Sequence, residues 1–288
     1  MKTGLRLCIL PCVAATLAAW QNGATEARLP RAQGSTRVAI IGDSGSGDKG
    51  QFEIAAQMVK LRATFPFDTV LMLGDNIYGR QTPANFKRKF ELPYQVLLSD
   101  GVKFFAALGN HDTPDSRFYE HFRMGGRRYY SFRVGPAEFF ALDSTSMDTS
   151  QLAWIASSLA ESEARWKICF FHHPLYSSGK RHGPALDLRT RLEPVLAKGG
   201  AHVVLAGHEH FYERLKPQKG IQHFVLGNSG KLRLGNIRRT SDTVKGFDRD
   251  LVFGVFEITP DELFFQAISR KGELVDSGVI GRNRLSTQ

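Results

Sequence analysis

Seven side chains of the types that bind metal ions follow five short apolar runs of the chain. They are Asp43, Asp75, Tyr78, Asn110, His172, His208 and His210. Two carboxylates, one phenol, one amide oxygen and three imidazoles exceed the needs of one four-coordinate ion. They suit two ions that share one carboxylate. One such cluster would mean little, but five in separate segments are hard to obtain by chance, so the pattern predicts a dinuclear metal site.

The apolar runs that precede these side chains are typical of strands buried on both faces. They cover residues 38–41, 69–73, 103–108, 166–171 and 202–206. Apolar residues at helical spacing over 54–61 indicate α/β layering. Binding sites in an open α/β sheet form outside the carboxyl ends of the strands. We therefore expect all five segments to deliver their ligands to one edge.

The C-terminal third has a different pattern. Short strand-like runs lie at 222–226, 251–258, 262–269 and 273–280, and the turn pairs Pro260-Asp261 and Lys271-Gly272 separate the last three. This region predicts a second, mainly antiparallel sheet. Because no repeat or linker follows residue 37, we expect a single domain over 37–288.

Five ordered motifs resemble those of the purple acid phosphatases, which are calcineurin-like metallophosphoesterases. The motifs are Gly42-Asp43-Ser44-Gly45, Gly74-Asp75-Asn76-Ile77-Tyr78, Gly109-Asn110-His111, the block at His172, and Gly207-His208-Glu209-His210. The resemblance spans about residues 37–230, and the chain length is similar to that of the small, mammalian-type members. It implies an α/β fold, a four-layer α/β/β/α sandwich with mixed sheets.

Tyr78 indicates the subgroup. In the wider superfamily the first motif reads Asp-x-His with a ligand histidine, whereas this chain has Gly45 at that position. Tyr78, three residues after Asp75, looks like the replacement ligand. A phenolate is a hard anionic donor, which favours a hard trivalent ion such as Fe(III).

The resemblance also implies how the ligands divide. Fe(III) would be held by Asp43, Tyr78, His210 and the shared Asp75, and a divalent Fe, Zn or Mn ion by Asn110, His172, His208 and the same Asp75. Pro174 completes the family's His-x-Pro pattern with His172. We therefore expect His172 to be the ligand and His173 to lie at the rim of the site.

Two further histidines are candidates for proton transfer. His111 follows Asn110, and His182 lies in a segment that resembles one bearing a histidine beside the site in the small purple acid phosphatases. A protonated histidine there can bind a phosphate oxygen and protonate the leaving alkoxide. Asp112 is expected to orient His111 or a ligand imidazole. Lys180 and Arg181 are weaker candidates for binding an anionic substrate.

The activity implied by the resemblance is acid phosphatase: hydrolysis of phosphomonoesters by attack of a metal-bound hydroxide, with an acidic optimum and no covalent phosphoenzyme. Two alternatives stay open. One is a phosphodiesterase or nucleotidase that uses two divalent ions on the same scaffold. The other is a catalytically silent phosphate- or metal-binding protein.

Composition and the N-terminal residues bear on partners and location. The chain of 288 residues carries a formal charge of +10, which favours anionic partners, and its basic pairs are scattered without a nucleic-acid motif.

Residues 1–27 are typical of a secretory signal, because Lys2 and Arg6 precede an apolar core too short to span a membrane comfortably. An uncleaved membrane anchor is the alternative. We expect residues 28–36 to form a tether and the protein to be secreted or periplasmic and monomeric. Cys169, the single cysteine beyond the leader, is expected to be buried.

Overall fold

The computed structural model describes residues 29–282, so the predicted signal peptide lies outside the described residues. The strands, in chain order, are β1 (Thr36–Ile41), β2 (Thr69–Met72), β3 (Lys103–Ala106), β4 (Tyr130–Val134), β5 (Ala137–Ala141), β6 (Trp166–Phe171), β7 (Val203–Ala206), β8 (Tyr212–Leu215), β9 (Gln222–Leu226), β10 (Thr243–Phe247), β11 (Val252–Ile258), β12 (Glu262–Ser269) and β13 (Leu274–Gly281). The α-helices are α1 (Lys49–Arg62), α2 (Pro83–Phe86), α3 (Gln95–Ser99), α4 (Thr149–Glu161) and α5 (Leu186–Lys198). A π-helical turn at Lys87–Glu91 lies between α2 and α3. Two 3₁₀ turns, at Pro114–Phe118 and Glu120–Phe122, lie between β3 and β4.

The strands form two mixed sheets. The first has the order β13-β12-β11-β1-β2-β3, and the second has the order β10-β8-β9-β7-β6-β5-β4. Within the first sheet β1, β2 and β3 are parallel, and β11, β12 and β13 continue it in antiparallel pairing from β1. Within the second sheet β5, β6, β7 and β9 are parallel.

This topology corrects two expectations. The five strands that precede the metal-ligand side chains do not share one sheet, because β1, β2 and β3 lie in the first and β6 and β7 in the second. The C-terminal strands do not form a sheet of their own either. β11 pairs with the free edge of β1, whereas β9 pairs with β7. Both errors have one cause: an apolar run predicts a buried strand but does not specify its neighbour.

Helices cover the outer faces, which confirms the four-layer α/β/β/α sandwich. Successive side chains of a strand point to opposite faces. Ile168 and Phe170 of β6 accordingly pack in the core between the sheets, and Cys169 and Phe171 pack with the apolar faces of α4 and α5. Cys169 is fully buried there, as expected. On the other side, α1 buries Ile54 and Met58.

The described part of the predicted tether is fastened to β11. The buried carboxylate of Glu257 accepts hydrogen bonds from the backbone N–H groups of Arg31 (2.8 Å) and Ala32 (2.7 Å) and from the hydroxyl of Ser35 (2.7 Å). Leu29 packs against the core between the sheets. Among residues 29–282, no helix has the length and apolar character needed to cross a membrane.

Candidate metal centre

Three predicted ligands have a left-handed backbone conformation that side-chain-bearing residues seldom adopt. The φ angles are 51° for Asp43, 52° for Asp75 and 68° for His208. Each residue directly follows a glycine that lies one or two positions beyond the end of its strand, so the chain turns sharply there. This conformation costs of order 1–3 kcal/mol per residue and persists where the surroundings enforce it, often at functional sites.

The site lies where the carboxyl ends of strands from both sheets meet. The first sheet supplies Asp43, Asp75 with Tyr78, and Asn110, and the second supplies His172, His208 and His210. All seven predicted ligands therefore lie at the carboxyl ends of strands from two sheets, and not along the edge of a single sheet.

One group of donor atoms surrounds the Tyr78 hydroxyl. This oxygen lies 3.1 Å from Oδ1 of Asp43 and 3.2 Å from Nε2 of His210, and the last two atoms are 3.3 Å apart. Asp75 joins them, since the ligand atoms of Asp43, Asp75 and His210 lie within 4.8 Å of one another. The predicted Fe(III) ligands are thus brought together.

A second group surrounds Nε2 of His172. This nitrogen lies 3.1 Å from Oδ1 of Asn110, 3.2 Å from Nδ1 of His208 and 3.4 Å from Oδ1 of Asp75. Nδ1 of the same ring is 2.9 Å from the carbonyl oxygen of Leu73, which can only accept a hydrogen bond. The proton must therefore be on Nδ1, which leaves the Nε2 lone pair facing the group. Asp75 borders both groups.

The electrostatics of these residues fit bound cations. Burial raises the pKa of Asp43 well above its usual range, with Asp75 adding to the effect, and burial raises the pKa of Asp75 as well. Burial lowers the pKa of His172 well below its ordinary value, that of His208 to about 2 and that of His210 to about 4. A pair of metal ions would neutralise the two close carboxylates and bind the lone pairs of the three neutral imidazoles.

Gly45 accounts for the position of the tyrosine. A Cβ atom at Gly45 would overlap the carbonyl group of Asn76, so no ligand side chain fits there. The two loops are joined by hydrogen bonds from the Gly45 N–H to the Asp75 carbonyl (3.3 Å) and from the Tyr78 N–H to the Gly45 carbonyl (3.0 Å). This pairing places Tyr78 beside Asp43.

Both candidate proton donors lie at the site. The ring of His182 is 4.4 Å from that of His208, centroid to centroid. Nε2 of His111 is 4.0 Å from Oδ2 of Asp75, and its backbone N–H donates to Oδ1 of Asp75 at 2.8 Å. Burial lowers the pKa of His182, so its protonated form belongs to acidic solution.

His173 lies nearer the ligands than a rim position would suggest. Its ring is 4.5 Å from that of His208, and its ligand nitrogen lies within 4.8 Å of those of His172 and His208. Nδ1 of His173 is 2.9 Å from the hydroxyl oxygen of Ser144, which fixes the ring.

Asp112 contacts groups other than the imidazoles expected from the sequence. Its carboxylate accepts hydrogen bonds from the backbone N–H groups of Gly109 (2.9 Å), Asn76 (3.0 Å) and Ile77 (3.1 Å) and from the side-chain amide of Asn76 (2.8 Å). It therefore holds two ligand-bearing loops together instead of orienting an imidazole.

The cations around the site differ in part from those predicted. Nζ of Lys180 donates to the carbonyl oxygen of Gly235 at 2.7 Å, and Arg181 is exposed. Lys231, which the sequence analysis missed, lies with Nζ 5.1 Å from the centroid of the Tyr78 ring. Arg233 was also missed; its backbone N–H donates to the carbonyl of His210, and its charge contributes to the lowered pKa of that histidine. Both residues follow β9, which is parallel to β7 and ends at the same edge of the sheet. A correct prediction of this pairing would have placed both residues near the site.

Comparison with known proteins agrees with this geometry. Residues 36–212 match the calcineurin-like phosphoesterase family. The chain is 27% identical to purple acid phosphatase 17 of Arabidopsis thaliana, over 82% of this chain and 81% of the relative. It is 24% identical to tartrate-resistant acid phosphatase type 5 of Oryctolagus cuniculus, over 86% of this chain and 93% of the relative.

The fold has a close counterpart among solved structures. A purple acid phosphatase from seeds of yellow lupin (Lupinus luteus) superimposes with a TM-score of 0.72 at 19% identity, and the match covers 88% of this chain and 55% of that one. The family match extends over more than half of the chain and includes the segments that carry all seven predicted metal ligands. The protein is therefore a member of the calcineurin-like phosphoesterase family, a metallophosphoesterase of the purple acid phosphatase type.

Proposed function

We propose that this metallophosphoesterase is an acid phosphatase that hydrolyses phosphomonoesters at a dinuclear centre of Fe(III) with Fe(II), Zn or Mn. One observation carries the proposal: the Tyr78 hydroxyl converges with Asp43 and His210 at a place where Gly45 leaves no room for a histidine. The names of two relatives, which describe acid phosphatases, support the same activity.

Each of the two donor groups would bind one metal ion, with Asp75 shared between them. Asp43, Tyr78 and His210 would hold the trivalent ion, Asn110, His172 and His208 the divalent ion, and Asp75 both. When bound, the ions would supply positive charge for the phosphate oxygens and lower the pKa of bound water.

The chain's own groups would handle the proton and part of the charge. His182 lies beside His208 and His111 beside Asp75, where a protonated imidazole could donate a hydrogen bond to a phosphate oxygen or a proton to the leaving alkoxide. Because such a donor must be protonated, we expect an acidic optimum. Lys231 and Arg233 add positive charge that attracts the substrate anion.

Turnover of two chromogenic esters by the metal-loaded protein tests the proposal. We expect p-nitrophenyl phosphate to be hydrolysed faster at acidic than at neutral pH, and bis(p-nitrophenyl) phosphate to be a poor substrate. Preference for the diester would favour the phosphodiesterase alternative. Metal binding without turnover of either ester would favour the silent binding protein.

Location and assembly belong to the same proposal. A secreted or periplasmic enzyme acting on small phosphorylated molecules agrees with the N-terminal sequence and the basic charge, and we expect it to be a monomer. N-terminal sequencing of the exported protein would locate a cleavage between residues 18 and 27 if residues 1–27 act as a signal.

A further inference from the structure

Glu209 lies between two metal ligands in the chain, yet its side chain belongs to neither donor group. The residue is fully buried. Its Oε1 accepts the backbone N–H groups of His182 (3.2 Å) and Gly183 (2.6 Å), and its Oε2 accepts the side-chain amide of Asn236 (2.8 Å). All three hydrogen bonds come from uncharged N–H groups, and a buried carboxylate is stable only when such donors are held in place.

The loop that carries His182 is shaped to receive this carboxylate. A Cβ atom at Gly179 would overlap the carboxylate of Glu209, so only glycine permits the approach. Gly183 has a φ of 72°, which also favours glycine. The backbone N–H of Lys180 donates to the carbonyl of Asn236 at 2.9 Å, which joins the loop to the residue that supplies the third hydrogen bond.

We propose that Glu209 is a positioning residue that ties the loop bearing His182 to the segment bearing His208 and His210, and so holds the proton donor in register with the metal ligands. The proposal rests on the proposed function, because it assigns Glu209 a part in the reaction through His182. A buried residue directly between two ligands in the chain could instead support those ligands alone. The two roles predict different kinetics.

The direct test combines Glu209→Gln, His182→Ala and the double variant, each loaded with metal and assayed with p-nitrophenyl phosphate. Gln keeps the size of the side chain but replaces one acceptor oxygen with a donor NH₂ group. We expect both single variants to keep their metal ions and to lose kcat by about 10²-fold, the lower end of the usual contribution of a general acid. The double variant should lie within about twofold of His182→Ala, because two residues that act through one group are not additive.

Each other result would overturn the proposal. Loss of metal from Glu209→Gln would make it a support for the ligands. Multiplicative losses in the double variant would make the two residues independent, and wild-type kcat in Glu209→Gln would remove Glu209 from the reaction. Failure of the proposed function is a separate result, since the metal-loaded wild-type protein would then not hydrolyse the ester.

Two further variants guard against a general loss of structure. Asn236→Ala removes one hydrogen bond and leaves the loop backbone intact, so a smaller loss of kcat with retained metal is expected.

Glu213→Gln is a matched control, because Glu213 is equally buried and contacts the same loop. Its carboxylate accepts hydrogen bonds from the backbone N–H (2.9 Å) and the hydroxyl (2.6 Å) of Ser178. We expect both Glu variants to lower the Tm, because each weakens a buried hydrogen-bond cluster, but Glu213→Gln should change kcat by less than about threefold. An equal loss of kcat in the control would show that any damage to this loop suffices and would contradict a specific role for Glu209.

Discussion

At the scale of single residues, the site combines backbone strain with uncompensated charge. Asp43 has a left-handed backbone and a fully buried carboxylate near that of Asp75. Neither feature stabilises the fold in the absence of metal. Bound cations would neutralise the carboxylates, and the left-handed backbone places the Asp43 side chain at the site. Such sites commonly exchange stability for function.

Asp43→Asn should therefore stabilise the metal-free protein while weakening metal binding. Asparagine tolerates the left-handed conformation, can still accept the His208 N–H, and carries no charge to bury. We expect the free energy of unfolding without metal to rise by about 1–3 kcal/mol, and the metal content to fall. Asp115→Asn, at a side chain that is 85% exposed, is the control and should change neither.

The effect of Asp43 on the stability of the metal-free protein should depend on pH. The pKa of folded Asp43 is raised, so the folded state holds its proton more tightly than the unfolded chain does. The stability of the metal-free wild-type protein should then decrease as the pH rises above about 4, and less steeply in Asp43→Asn. Equal slopes in the two proteins, measured by denaturant unfolding, would contradict the account.

At the scale of elements, the loops after β1 and β2 act as one unit. Gly45 allows them to approach, and Asp112, from the loop after β3, holds the backbone of Asn76 and Ile77. Three adjacent parallel strands thus end in loops that are hydrogen-bonded to one another. The position of Tyr78 depends on this arrangement.

Gly45→Ala tests the arrangement. The added methyl group meets the backbone of Asn76, which cannot rotate away as a side chain would, so the loops must separate. We expect a fall in Tm together with loss of metal and activity. Gly125→Ala is the control: nothing lies within 4 Å of its Cβ position, so the only cost is the backbone strain of alanine at a φ of 59°, about 1–2 kcal/mol, and we expect metal content and activity to be kept. A Gly45→Ala protein that binds metal normally would show that the loop contact is dispensable.

The same elements show how far sequence reasoning reached. The runs that became β1, β2, β3, β6 and β7 were recognisable because strands buried on both faces are continuously apolar. Their distribution over two sheets was not, because pairing is decided by partners far away in the chain, such as β11 beside β1. Tyr78 was recognised through the resemblance of its motif to a known family. Glu209 was missed and the contacts of Asp112 were not foreseen, because both depend on hydrogen bonds between distant loops.

At the scale of the whole molecule, the proposed activity in acid requires the protein to remain folded there, and a buried histidine opposes this. His223 of β9 is buried, and its Nε2 has no hydrogen-bond partner among the described residues. Burial lowers its pKa to about 3. The folded protein thus leaves His223 neutral at pH values where the unfolded chain would protonate it.

His223→Phe should flatten the loss of stability in acid. A group whose folded pKa is depressed favours unfolding as the pH falls below the unfolded value of about 6.5, and the loss by pH ~4.5 amounts to about 2–3 kcal/mol. Phenylalanine cannot be protonated and can pack against Tyr176, whose ring is 5.0 Å away. We expect the Tm of the metal-loaded variant to fall less between neutral and acidic pH than that of the wild-type protein. Parallel Tm curves would show that His223 does not limit acid stability.

The most direct test of the central claim is the metal content of the purified protein together with its visible spectrum, compared with Tyr78→Phe. The account predicts about two metal ions per chain and a visible charge-transfer band from a Tyr78 phenolate on Fe(III) that disappears in the variant. A colourless, active protein that holds only divalent ions, with an unchanged spectrum in Tyr78→Phe, would contradict it.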